Sequence, residues 1–116
     1  MKALALAVAL ALLGVGSAHA TGVRSGLYGD VRRGPITPVC VAEQPCDEPA
    51  AGALLLFSRN GREVARTKAL ADGSYRVRMP AGIYVVRAAR RIEPAKVHVV
   101  RGRMLRVNFS IDTGIR

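Results

Sequence analysis

From Gly52 to Ile111 the chain is punctuated, about every ten residues, by groups that make a backbone reverse direction. Asn60-Gly61, Asp72-Gly73, Pro80-Ala81-Gly82 and Arg101-Gly102-Arg103 each separate short runs rich in Val, Leu, Ile and Tyr. Such runs are too short for ordinary helices, and their period is that of a strand. The clearest case is Ser74–Met79, where Tyr75, Val77 and Met79 share one face and Arg76 and Arg78 the other. Strands are therefore expected at Gly26–Arg33, Gly52–Ser58, Glu63–Ala69, Ser74–Met79, Ile83–Ala89, Val97–Val100 and Met104–Ile111. This predicts an all-β, antiparallel two-sheet sandwich of about seven strands. Alternation selects its core as Leu27, Val31, Leu55, Phe57, Tyr75, Val77, Tyr84, Val86, Val97, Val99, Leu105, Val107 and Phe109.

The first 20 residues follow a different rule. Lys2 is followed by the unbroken apolar run Ala3–Leu13, then by Gly14, Gly16 and the sequence Ala18-His19-Ala20. A positive start, a short apolar stretch and small residues at the end describe a cleavable secretory signal peptide. The apolar run is shorter than the roughly 20 residues a spanning helix needs. The expected organisation is thus a signal peptide at 1–20, a flexible N-terminus at 21–25 and one sandwich domain at 26–116. No membrane span is expected after cleavage, and the expected location is periplasmic or secreted. The mature part, roughly 96 residues, suffices for one modest core.

Export gives the two cysteines their reading. Cys40 and Cys46 lie in a segment interrupted by Pro35, Pro38, Pro45 and Pro49, which lack backbone donors and exclude a central strand. In an oxidising compartment a close pair in an irregular loop reads as a structural disulfide. A redox pair would favour Cys-x-x-Cys spacing, and a metal site would need more ligands than the single His98 of the mature chain supplies.

The stretch Ala71-Asp72-Gly73-Ser74-Tyr75-Arg76-Val77-Arg78-Met79-Pro80-Ala81-Gly82-Ile83-Tyr84-Val85-Val86 resembles the carboxypeptidase regulatory-like domain. That family has a D-G-x-[YF] strand entry followed by a P-x-G-x-Y turn, and belongs with the prealbumin-like (transthyretin-like) sandwiches, which are Ig-like in architecture. A Gly-rich first strand with Gly26 and Gly29 is similar to its opening strand, so the resemblance spans about Gly26–Ile111. The cysteine loop and the Asp112-Thr113-Gly114-Ile115-Arg116 ending look like those of small stand-alone secreted bacterial members. In relatives the domain is usually a non-catalytic accessory to an enzyme or an outer-membrane transporter, and the resemblance implies a role of that kind; its recognisable residues specify a fold, and fold does not fix function.

The residues that could carry chemistry are few. Prealbumin-like hydrolases of 5-hydroxyisourate carry His and Arg site residues and a Tyr-Arg-Gly-Ser ending, and this chain has neither the histidines nor the ending. A Ser/His/acid triad would have to join His98 to Ser25, Ser58, Ser74 or Ser110, yet alternation turns His98 away from the core. The adjacent acids Asp47-Glu48 are the one place where a calcium ion is conceivable. No catalytic residue, metal or cofactor is expected. What stands out is charge: 18 Lys and Arg against 8 Asp and Glu. Arg76, Arg78, Arg87 and Arg106, with Arg101 and Arg103 near them, form a candidate guanidinium face for phosphate, carboxylate or sulfate groups. Export and the scarcity of stacking aromatics, with Tyr28 alone poised outward, argue against nucleic acid. The function expected is a binding or structural module of the bacterial envelope that contacts anionic polymer or a protein through this face. The alternative is an inhibitor or regulator of a secreted enzyme, acting through the Cys40–Cys46 loop.

Overall fold

The computed structural model describes residues 24–116, and the expected signal peptide at 1–20 lies outside them. Ten strands follow one another: β1 (Gly26–Gly34), β2 (Glu48–Pro49), β3 (Leu54–Arg59), β4 (Arg62–Lys68), β5 (Ser74–Arg78), β6 (Gly82–Arg87), β7 (Ile92–Glu93), β8 (Lys96–Val99), β9 (Met104–Arg106) and β10 (Phe109–Asp112). They form two sheets with no helix among the described residues, so the all-β sandwich is borne out. One sheet is four-stranded in the order β4-β3-β6-β8, antiparallel throughout. The six-stranded sheet is organised on β1, with β2-β1-β10-β7 as its path and β5 and β9 also paired to β1.

Three expectations need correction. Pairing is not wholly antiparallel, because β9 and β10 both run parallel to β1. The segment expected as one strand at Met104–Ile111 is two, although Tyr28↔Arg106 and Val31↔Phe109 keep one register across the break. Between them the Val107 N–H donates to the Tyr28 carbonyl at 2.9 Å, and the Asn108 side-chain oxygen accepts from the Asp30 N–H at 3.0 Å. A side chain replaces the ladder there, which alternation alone does not reveal. At the N-terminus, Ser25 is not loose. It is buried, its hydroxyl donates to the Met79 carbonyl at 2.9 Å, and the Met79 N–H returns a bond to its carbonyl at 3.0 Å.

The core lies between the sheets. Leu27, Val31, Tyr75, Val77 and Phe109 face Leu55, Phe57, Tyr84, Val86, Val97 and Val99, all buried. Leu105 and Val107 are only partly buried, because they flank the interrupted ladder near the sheet's edge. Phe109 links the layers, with its ring 6.3 Å from Phe57 of the opposite sheet and 5.5 Å from Tyr75. Such aromatic contacts add to the area they bury.

The turn residues act through identifiable contacts. Gly73 has φ 86°, and a Cβ there would lie 2.7 Å from the Val31 carbonyl oxygen. That close approach lets the Val31 N–H donate to the Gly73 carbonyl at 2.7 Å, tying the Asp72-Gly73 turn to β1. The Asp72 carboxylate accepts from both the Ser74 hydroxyl (2.6 Å) and the Ser74 N–H (2.9 Å), which hold its pKa below the usual carboxylate range. At the next turn the buried Tyr84 hydroxyl donates to the Pro80 carbonyl at 2.6 Å, satisfying its polar end. Arg59 lies over the same ring, 5.4 Å from its centroid, and donates to the Ala81 carbonyl at 3.1 Å.

Phe109→Ala removes the ring that joins the sheets and is expected to cost about 3–5 kcal/mol. Urea unfolding followed by circular dichroism measures this; a loss under about 1 kcal/mol would show that the sheets do not depend on it.

Candidate functional site: the basic outer face

Register decides which arginines meet. Tyr28 in β1 lies opposite Arg76 of β5 on one side and Arg106 of β9 on the other. Leu27, Val77 and Leu105 point to the core along the adjacent row, so the Arg76–Tyr28–Arg106 row points outward. Tyr28 is 38% exposed, and Arg76 and Arg106 are exposed. One step along the sheet, Arg78 and Met104 flank Gly26, which presents no side chain between them. Ideal strand geometry places the Cα atoms of Arg76 and Arg78 about 6.8 Å apart along β5, and those of Arg76 and Arg106 about 9.6 Å apart across two strand spacings. The Arg103 carbonyl accepts from the Gly26 N–H at 3.0 Å, which brings the Arg101-Gly102-Arg103 turn to the same end of β1.

The electrostatics of this row are open. Among the described residues neither Arg76 nor Arg78 has a carboxylate partner. Arg106 meets Asp30 at 3.3 Å, with both side chains about half exposed, a pairing worth little in water. The Asp30 carboxylate, one outward position further along β1 and opposite Ser74, is the acid that reaches Arg106, and sequence reasoning missed it because nothing local links it to residue 106. Below the row, the Tyr75 hydroxyl donates to the Val107 carbonyl at 2.6 Å. Burial, and then the charge of Asp30, push its pKa well above the ordinary tyrosine value, so it serves as a fixed donor.

Arg87 is elsewhere. It sits on β6 opposite Leu56, in the four-stranded sheet, so the four candidate arginines do not form one patch. The outer face of that sheet is different in kind: Ile83, Val85 and Leu54 are exposed there, beside Arg87, Lys96 and His98. His98 is exposed opposite Ile83, and no hydrogen bond joins it to a serine among the described residues. Ser25 is spent on Met79 and Ser74 on Asp72.

The cysteines are paired, with Cα atoms 5.5 Å apart. By the chain-entropy account a loop this short contributes about 2 kcal/mol. Cross-bonds tighten it: the Ile36 N–H donates to the Cys46 carbonyl (2.9 Å), and the Thr37 hydroxyl to that of Val39 (2.8 Å). At its base Arg32 holds Asp47 at 3.0 Å and Arg33 holds Glu48 at 2.7 Å. Successive extended residues point to opposite sides, so the two acids diverge toward separate arginines and do not converge on a cation. Either side of Cys40, Val39 and Val41 are 72% and 57% exposed.

At the chain's end Arg116 and the Gly114 N–H hold the Asp112 carboxylate, lowering its pKa to about 2. The Thr113 hydroxyl donates to the Pro35 carbonyl at 2.6 Å, fixing this tail beside the base of the cysteine loop. No protein-family model matches the chain, and no curated protein or solved structure matches it either.

Proposed function

We propose that the chain is a non-catalytic, exported sandwich of the carboxypeptidase regulatory-like kind that binds anionic polymer of the bacterial envelope through Arg76, Arg78, Arg106 and Tyr28. The observation that carries this reading is the cross-strand row Arg76–Tyr28–Arg106 with Arg78 beside it. Paired strands hold the backbone positions of these arginines, and their guanidinium groups can reach successive charges on one polymer. Each group can grip a phosphate, sulfate or carboxylate through two parallel N–H bonds, while Tyr28 offers a flat amphipathic surface between them. The signal-like leader, together with a disulfide, supports a role outside the cytoplasm.

A charge-matched comparison tests the reading. Arg76→Ala/Arg78→Ala/Arg106→Ala should lower affinity for dextran sulfate about tenfold at moderate salt, a difference of about 1.4 kcal/mol. Arg62→Ala/Arg87→Ala/Lys96→Ala removes as many charges from the opposite sheet and should change it far less. Equal losses in the two variants would reduce the interaction to net charge and contradict the proposal.

The exposed Val39 and Val41 favour a second reading, in which the stapled loop is a rigid apolar probe for a secreted enzyme. Under it, Cys40→Ser/Cys46→Ser should keep the strand signal in circular dichroism and lose all inhibition of the target. Inhibition that survives the double change would exclude this reading.

A further inference from the structure

At the end of the sandwich remote from Arg78 the two sheets part over a cleft of about 720 Å³, within the size range of small-molecule sites. Its cause is residue size. The centre of the core is filled by Leu, Phe and Tyr, whereas the chain at this end supplies Ala50, Ala51, Gly52 and Ala53 before β3 and Ala88 and Ala89 after β6. Ala53 leads into β3 and Ala88-Ala89 follow its neighbour β6, so small residues lie side by side at this end of the four-stranded sheet, where large ones would reach toward the other layer. Ile36, Ile111 and Ile115 complete an apolar wall, the last two from the tail that Thr113 anchors.

The polar groups of the cleft are nearly all engaged. Arg33 and Glu48 satisfy each other at 2.7 Å, and the Thr113 hydroxyl donates to Pro35. The N–H groups of Ala50, Gly52 and Ala53 donate to the carbonyls of Val31, Ala69 and Ala50. Arg90 is the exception. It lines the cleft, is exposed, and has no carboxylate partner among the described residues. Its guanidinium lies against Gly114, where a Cβ would come within 2.6 Å of Nη1, so the bare glycine leaves room for it there.

We infer that this cleft binds a small amphipathic monocarboxylate, with its apolar body among the alanines and isoleucines and its carboxylate on Arg90. An apolar slot with a single unpaired, bidentate donor matches a ligand with an apolar body and a single anionic end. The site is separate from the Arg76–Tyr28–Arg106 row and does not rest on the polymer-binding proposal.

Calorimetric titration with decanoate, below its micelle concentration, and with decanol tests the inference. Decanoate should bind saturably at one molecule per chain. Arg90→Ala should weaken decanoate about tenfold and leave decanol unchanged, since only the charged end is lost. Ala53→Leu should abolish binding of both by filling the cleft, and Ala89→Leu, at an exposed position, does the same with less risk to folding. Arg76→Ala/Arg78→Ala/Arg106→Ala should bind decanoate normally, which separates this site from the basic face. No saturable binding by the unmodified protein, or binding untouched by both Arg90→Ala and Ala89→Leu, would overturn the inference.

Discussion

The backbone pairing of β1 is the interaction on which the rest of this protein depends. Its nine residues bond to β5 and β9 over the first half and to β10 and β2 over the second. The changeover falls at Gly29-Asp30, where Asn108 and Val107 carry the hydrogen bonds that the ladder omits. Every strand of the six-stranded sheet except β7 therefore takes its position from β1 directly. The inward residues Leu27 and Val31 are fully buried by that arrangement. The outward residues Tyr28, Asp30 and Arg32 are handed the partners Arg76, Arg106 and Asp47, which lie far apart in the chain.

Core and surface are thus two consequences of one register. A slip of one residue would turn Leu27 and Val31 to solvent and Tyr28 inward, with the arginine row broken. The apolar contacts that favour the register are strong, led by Phe109 between Phe57 and Tyr75. The surface arginines contribute little to it, because half-exposed ion pairs such as Arg106–Asp30 are screened by water. Burial therefore sets the backbone spacing of the arginines, and a binding row can be held in place without its own side chains stabilising the fold.

Much of this was legible in the residue order. Alternation and turn pairs are local signals, and they located β3, β4, β5, β6 and β8 and most of the core, including Tyr84, but not the two-residue strands β2 and β7. The same logic put Arg76, Arg78 and Arg106 on outward faces. What alternation could not carry was the choice of partner. Parallel pairing of β1 with β9 and β10 spans most of the chain, and no local property of Gly26–Gly34 or Met104–Asp112 encodes it. For that reason the separation of Arg87 from the other three, the pairing of Asp30 with Arg106 and the cleft beside Arg90 emerge only once the sheets are assembled. The small residues Ala50–Ala53 and Ala88-Ala89 were visible in the sequence, but smallness at a sheet end has meaning only when the opposite sheet is known.

If β1 holds the molecule together, its amides should open only with the whole domain. Native-state hydrogen exchange at the Val31 N–H, which donates to the Gly73 carbonyl in the buried centre, measures this most directly. The account predicts an opening free energy equal to that of global unfolding, shared with the amides of β10. Exchange at Val31 by a lower-energy local opening, with β3 and β6 still protected, would contradict it and make the four-stranded sheet the true foundation of the fold.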